Sequence, residues 1–237
     1  MLIRLAAAVL IGVGGLLTVA RPALAQARLP EGVELPIQVR LAVRVLNIIR
    51  FHEVMGEVGA TVEFTQRWYD PAIRFDRVER GSERIDLVGS EAEERLRAMW
   101  SPELVIESMI GVPRAQTVSL SLFHDGRAVL LRRFDADFRA QVSMGAFPFD
   151  RQALTLSFIP PRHPATELVL TTTEFDRQYS SIAPTLSAVN WIPARLNFRQ
   201  GTFYGWNARP YSRLTVAAEI GRNWQRYVLR VFVPYFA

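Results

Sequence analysis

Apolar residues stand at every second position in many short stretches of this chain, and this alternation limits the fold more than any other feature. In residues 37–45 every odd position is apolar, while the positions between them are Gln, Arg, Ala and Arg. The period recurs, with few interruptions, in residues 62–68, 120–122, 154–158 and 196–198. A period of two places successive side chains on opposite faces of a β-strand. The pattern therefore predicts many short strands, each with one buried face.

Turn-forming residues separate these stretches, as at Asp70-Pro71 and Pro160-Pro161. Only residues 91–99 have a pattern that suits a helix, and it is long enough for two turns. Many short alternating strands within one domain are typical of an antiparallel β-sandwich. We therefore predict an all-β fold, with a single domain over residues 26–230.

The first 25 residues read as a leader rather than as part of this domain. A positive start at Arg4 precedes an apolar run over residues 5–19, and Ala23-Leu24-Ala25 provides small residues for cleavage. These features predict a secretory signal peptide over residues 1–25, and hence export. A retained membrane anchor is the alternative, but the run is shorter than the roughly 20 residues that a span needs.

Composition argues against several functional classes. All 28 basic residues are Arg, and they are interleaved with the 23 acids instead of forming a stripe, so we expect no nucleic-acid partner. The three His residues lack metal-ligand spacing, so we expect no metal and no cofactor. No nucleophile or phosphate-loop motif is present, which disfavours an enzyme.

Four motifs occur in a recognisable order along the chain. They are Trp68-Tyr69-Asp70, Trp100-Ser101-Pro102-Glu103, Phe147-Pro148-Phe149-Asp150, and Arg222 placed 12 residues before Pro234. From about residue 37 to 237 the chain resembles the extracellular ligand-binding domain of prokaryotic pentameric ligand-gated ion channels, in the Cys-loop receptor superfamily. Glu103 replaces the usual Asp of its motif, and the absence of cysteines suits the prokaryotic branch.

This resemblance implies a fold, an assembly and a location. The fold would be an immunoglobulin-like antiparallel β-sandwich of about ten strands. The assembly would be a homopentamer that binds a small-molecule agonist between subunits and gates a membrane pore. Residues 231–237 would begin the first transmembrane helix, although a last sandwich strand is the alternative. The location would be the periplasmic face of a bacterial inner membrane.

The resemblance also implies residues that hold the scaffold and residues that couple it to the pore. The structural residues would be Trp68, Asp70, Trp100 and Pro102. The coupling residues would be Glu53, Val54, Phe147, Pro148, Phe149, Asp150 and Arg222. Asp150 and Arg222 would belong to a buried charge cluster, because a buried charge without a partner is destabilising by several kcal/mol; ordinary surface ion pairs are the alternative.

Ligand contacts are expected in three loops of one subunit and on one strand of its neighbour. The loops would supply Phe203, Tyr204, Trp206, Tyr211, Glu107, Arg162 and His163. The neighbouring strand would supply Glu63, Thr65 and Arg67. The carboxylates and the aromatic rings favour a cationic or zwitterionic amine, since aromatic faces attract ammonium groups.

Several alternatives to these contacts stay open. The hairpin aromatics could pack on their own strands, and Glu63 could be solvated or paired at an interface. A lone His in a proline-rich loop is more often a surface residue than a ligand, which is the expectation for His163. Trp191, in contrast, could reach the ligand cleft from a neighbouring loop.

Three other functions remain open at this point. Acids and His163 could make the channel proton-gated, with protons in place of an agonist. A stand-alone periplasmic sandwich could bind a small molecule without conducting ions. A carbohydrate-binding module could use the hairpin aromatics to stack on sugars. The Glu103 and Glu107 pair alone is weak support for a glycosidase.

Overall fold

The computed structural model describes residues 29–228. Within them lie eleven strands, four short α-helices and one 3-10 helix (Pro71–Ile73). The strands are β1 (Ile37–His52), β2 (Glu57–Tyr69), β3 (Arg84–Val88), β4 (Val105–Ile106), β5 (Met109–Phe123), β6 (Arg127–Arg139), β7 (Arg151–Ile159), β8 (Leu168–Thr171), β9 (Ser181–Ile182), β10 (Trp191–Tyr204) and β11 (Pro210–Arg222). The helices are α1 (Arg77–Arg80), α2 (Ser90–Ala98), α3 (Glu174–Gln178) and α4 (Trp224–Tyr227).

Two sheets form the layers of a sandwich. The larger has seven strands in the order β3-β5-β6-β2-β1-β8, with β9 also beside β1; the smaller has the order β10-β11-β7-β4. All pairs are antiparallel except β1 with β8 and β1 with β9. The prediction of an all-β, immunoglobulin-like sandwich is confirmed, and α2 lies where the sequence allowed a helix.

The core lies between the sheets, where the apolar positions of the alternating stretches meet. Val39, Leu41 and Val43 from the larger sheet are fully buried, as are Leu154 and Leu156 from the smaller. Across the gap, the ring centroids of Phe64 and Phe158 are 5.1 Å apart. Burial of each such side chain stabilises the fold by about 1.5–3 kcal/mol.

The strands end at two opposite poles of the sandwich. The arginine pole contains the end of β1, the start of β2, the segment 140–150 and the end of β11. The hairpin pole contains the end of β2, the segment 160–167 and the turn between β10 and β11. Arg222 lies in the first, and Trp206 lies in the second.

Trp68 and Trp100, the tryptophans of the two motifs, are buried beneath the loops of the hairpin pole. Their rings meet edge to face with centroids 6.4 Å apart. Asp70 is buried and its carboxylate accepts a hydrogen bond from the backbone N–H of Ala72, which caps the turn after β2. The backbone N–H of Asp70 donates to the carbonyl of Gly126 in the β5–β6 turn. These contacts suit the structural roles expected of the motifs.

Two predicted segments, the leader over residues 1–25 and the helix start over residues 231–237, lie outside the described residues. Among residues 29–228, none of the helices has the length and apolar character needed to cross a bilayer.

Candidate functional site

A buried guanidinium defines the arginine pole. The Nε of Arg222 donates to Oδ1 of Asp150 at 2.6 Å, and its Nη2 donates to Oδ2 at 3.0 Å. Nη1 donates to the carboxylate of Glu53 at 2.8 Å. The register of β11 on β7 pairs Gly221 with Arg151, which brings the next residue, Arg222, beside Asp150. Both side chains of the central pair are almost fully buried.

Aromatic rings surround the same guanidinium. Its central carbon lies 4.4 Å from the ring centroid of Trp191, 5.0 Å from that of Phe147 and 5.2 Å from that of Tyr227. The hydroxyl of Tyr227 also accepts a hydrogen bond from Nη1 at 3.0 Å. The cation is therefore compensated by two carboxylates and by the negative faces of three rings.

Trp191 lies at the arginine pole. The sequence left open that Trp191 could reach the ligand cleft, but β10 pairs with β11 so that Trp191 is opposite Arg222. It is buried and packs on Phe51 with ring centroids 4.9 Å apart. The register of this long hairpin, and not proximity in sequence, determines which pole Trp191 joins.

Gln152 fixes the segment that carries Asp150. Its side-chain Nε2 donates to Asp150 at 2.7 Å and to the carbonyl of Ser143 at 2.8 Å. Its Oε1 accepts from the backbone N–H of Ser143 at 3.1 Å. The segment 140–150 is thus tied to β7 through one buried amide.

The ion pair keeps its charges at neutral pH. Hydrogen bonds from Arg222 lower the pKa of Asp150 below its usual range, in spite of burial. Burial alone would lower the pKa of Arg222, but hydrogen bonds to Asp150 and Glu53 outweigh it and raise that pKa.

Apolar side chains project from the rim of this pole. Val54 is fully exposed, and Met55, Phe147 and Phe149 are also exposed. Phe149 contacts the ring of Trp224, with centroids 5.6 Å apart. The arginine pole therefore has a buried, fully paired Arg222 at its centre and exposed apolar side chains at its edge. Such an edge suits contact with another apolar surface.

At the hairpin pole the four predicted aromatics divide into two kinds. Tyr204 is 78% exposed and Trp206 is 100% exposed. Tyr211, in contrast, is 8% exposed, its ring packs on Phe203, and its hydroxyl accepts a hydrogen bond from Asn207. Tyr204 and Trp206 are thus free to receive a ligand, whereas Tyr211 packs within its own hairpin.

Glu63 is buried but does not lack partners. It is 3% exposed, and its carboxylate accepts hydrogen bonds from Arg44 at 3.1 Å and from Arg133 at 2.9 and 2.6 Å. Register explains the contact, because Arg44 and Arg133 are the residues opposite Glu63 on β1 and β6. The neighbouring Thr65 is half-buried on the same face.

The other charged candidates are paired as well. Arg67 donates a hydrogen bond through Nη1 to the buried carboxylate of Asp176 at 2.5 Å. Glu107 accepts from Arg213 at 2.9 Å. Arg162 pairs with Glu103 at 3.2 Å. A cationic ligand would therefore have to compete with arginine for either predicted carboxylate.

His163 is not the surface residue that the sequence led us to expect. It is buried, its Nδ1 lies 3.1 Å from Glu167, and its ring packs on that of Trp100 with centroids 5.9 Å apart. The expectation was wrong because the segment 160–167 folds back over the motif tryptophans instead of projecting outward.

The candidates from loops and strand lie on different sheets of one subunit. Glu63 and Arg67 alternate with core residues of β2, so they lie on the outer face of the larger sheet. Arg213, which holds Glu107, lies on the outer face of the smaller sheet. One subunit does not bring the two groups into one pocket. Within residues 29–228, no cluster of three or more acidic or His side chains suits a metal.

Comparison with known proteins now identifies the family. The profile of the neurotransmitter-gated ion-channel ligand binding domain matches residues 21–224. The chain belongs to this family. Its members are receptors, not enzymes, and the domain is the extracellular part of a membrane channel. The chain is also 21% identical over 205 residues to a serotonin-gated chloride channel, mod-1, of Caenorhabditis elegans. This match covers 84% of the chain but 40% of the relative, so the chain spans about two fifths of that channel's length.

Proposed function

We propose that this chain is the agonist-binding domain of a bacterial homopentameric channel, placed at the periplasmic face of the inner membrane. The cysteine-free signature segment, with the motifs in family order, supports the bacterial branch. The observation that carries the proposal is the buried network of Arg222, Asp150 and Glu53. Its position next to the exposed side chains of Val54, Met55 and Phe149 suits attachment to a pore.

The separation of the candidate residues supports ligand binding between subunits. The rings of Tyr204 and Trp206 belong to the β10–β11 hairpin, while Glu63, Thr65 and Arg67 belong to the outer face of the other sheet. A second subunit would place such a face against the hairpin. A ligand that binds the open state more tightly would then shift the closed–open equilibrium by its difference in affinity.

For the agonist we propose a small amine that binds mainly on aromatic faces. Tyr204 and Trp206 are exposed, and each ring attracts an ammonium group by about 0.5–2 kcal/mol. The two predicted carboxylates, Glu63 and Glu107, are already paired with arginine. They would therefore contribute to the electrostatic field around the ligand more than bind its ammonium group directly. The distant relative named as serotonin-gated supports an amine.

Binding of serotonin to the assembled chain, measured by calorimetry, tests the amine. We expect Trp206→Ala to weaken binding about tenfold, because a cation–π contact is lost, and Trp206→Phe to retain most of the affinity as the matched control. Glu63→Gln should have the smaller effect. The amine proposal is wrong if Trp206→Ala and Glu63→Gln both leave binding unchanged.

Proton gating is the second candidate, and His163 is the observation that favours it. Histidine is the side chain whose charge ordinarily changes between about pH 5 and 8. His163 is buried 3.1 Å from the carboxylate of Glu167, and the neighbouring Arg162 pairs with Glu103. Currents that a chimera of this domain with a channel pore gives on acidification, without agonist, test it; His163→Gln should abolish them, and unchanged currents would exclude this role of His163.

A further inference from the structure

The two sheets leave an opening along one side of the sandwich, where β9 of the larger sheet lies beside β10 of the smaller. A cavity of about 410 Å³ occupies this opening. That volume lies in the range of small-molecule sites, roughly 300–1,000 Å³. β10 runs from Trp191 at the arginine pole to Tyr204 at the hairpin pole, and neither residue lines the cavity. The cavity is also separate from every residue assigned above to agonist contact or to coupling.

The inner part of this cavity is apolar. Ile182 from β9 and Leu196 and Phe198 from β10 line it, and all three are partly buried and pack against the core. Leu196 and Phe198 point into the sandwich, because their partners on β11, Ala218 and Val216, are fully buried. A hydrocarbon chain that enters the opening would therefore leave water for an apolar surface, which is favourable.

Both walls of the cavity are held in place before any ligand arrives, as is usual for small-molecule sites. On one side, β10 pairs with β11 along its whole length. On the other side, the hydroxyl of Ser180 accepts a hydrogen bond from the backbone N–H of Val43 at 2.9 Å and donates to the carbonyl of Asp176 at 2.7 Å. The backbone N–H of Ala183 donates to the carbonyl of Val45 at 2.8 Å. This second wall is therefore fixed to β1.

The charged residues that line the cavity are both positive. They are Arg177 and Arg195, and no acidic side chain is among the lining residues. Arg195 is paired with Glu219 on the outer face of the smaller sheet, at 2.8 Å. Arg177 is exposed and has no ion-pair partner within residues 29–228. Its planar guanidinium is therefore available to bind a carboxylate through two parallel hydrogen bonds.

We propose that this cavity binds medium-chain carboxylates. The carboxylate binds the guanidinium of Arg177, and the hydrocarbon chain lies on Ile182, Leu196 and Phe198. The charge selects an anion, and the apolar interior selects a longer chain over a short acid. The site differs from the proposed amine site in charge and in position, and a single subunit supplies all of its residues. The proposal goes beyond the proposed function and does not depend on it.

Titration of the purified chain with octanoate, followed through the amide NMR signals of the chain, tests the site. We expect saturable shifts at Ile182, Leu196 and Phe198. Butyrate has the same carboxylate but four fewer methylenes, and it should bind at least tenfold more weakly, because each buried methylene contributes about fourfold in affinity. Octylammonium, which has the opposite charge on the same chain, should give no saturable shifts at these residues.

A pair of variants tests the role of the free cation. Arg177→Gln should weaken octanoate binding about fivefold, because an exposed ion pair is lost. Arg199→Gln is the matched control: Arg199 is also exposed, but it lies on the outer face of β10, so this variant should bind as the wild type does. The proposal is overturned if octanoate gives no saturable shifts at Ile182, Leu196 and Phe198, or if butyrate or octylammonium binds there as tightly. It is also overturned if Arg177→Gln weakens binding no more than Arg199→Gln does.

Discussion

The two poles of the sandwich use arginine and tryptophan in opposite ways. At the arginine pole, Arg222 is buried, donates hydrogen bonds to the carboxylates of Asp150 and Glu53, and lies against the ring of Trp191. At the hairpin pole, Trp206 is fully exposed and has no such partner within the described residues. A guanidinium whose hydrogen-bond donors are occupied is held in a fixed position, so a movement of one partner would move the others. Exposed rings, in contrast, are available to a ligand. The proposed function accordingly assigns coupling to the arginine pole and recognition to the hairpin pole.

Breaking the central ion pair should have the largest effect. Asp150→Ala leaves Arg222 buried with Glu53 as its remaining carboxylate, so we expect a loss of about 3–5 kcal/mol in the free energy of unfolding. Urea denaturation followed by circular dichroism measures it. Glu83→Ala, which breaks an ion pair with Arg77 in which both side chains are exposed, is the control and should lose about 1 kcal/mol or less. Equal losses would contradict the buried network.

The two tryptophans give the most direct contrast between the poles. Trp191→Ala should lower the free energy of unfolding by about 3–5 kcal/mol, because it removes a buried ring. Trp206→Ala should change it by about 0.5 kcal/mol or less, because the ring is exposed. Thermal unfolding of both variants checks this. A large loss for Trp206→Ala would mean that the hairpin ring packs against another part of the molecule.

Glu63 should give an intermediate effect. Glu63→Ala removes a buried carboxylate, but Arg44 and Arg133 are about half exposed and can be hydrated instead. We expect a loss of about 1–2 kcal/mol in unfolding free energy. Glu63→Gln, which keeps the shape and one acceptor, should lose less. A loss as large as that of Asp150→Ala would place Glu63 among the structural charges.

Acid should weaken the arginine pole in a predictable direction. The folded pKa of Asp150 is depressed by Arg222, so the pair stabilises the fold above the unfolded pKa, about 3.9. That stability is lost as the pH falls through the folded pKa. The stability difference between wild type and Asp150→Asn should therefore be full at pH 7 and shrink below about pH 4. A difference independent of pH would contradict an ionised pair.

Much of this architecture is readable from the sequence, and the reasons are local. Alternation in residues 37–45 and 154–158 determines which face of each strand is buried, so the sandwich follows. The contact between Asp150 and Arg222 is long-range, and it was expected only because the resemblance to the receptor family implied it.

The surroundings of three residues depend on contacts between segments that are distant in sequence. Trp191 joins the arginine pole through the register of β10 on β11. Glu63 meets Arg44 and Arg133 only because β2 lies between β1 and β6. His163 is buried because its loop folds over Trp100. Strand order and loop direction are set by the whole core, so no local pattern around these residues shows them.

The most direct test of separate recognition and coupling uses a chimera that joins this domain to a channel pore. Amine binding and amine-evoked current are measured on the same variants, Trp206→Ala and Asp150→Asn. We predict that Trp206→Ala weakens binding, while Asp150→Asn leaves binding unchanged and removes most of the current. If Asp150→Asn weakens binding as Trp206→Ala does, or leaves the current intact, the two poles do not divide these roles.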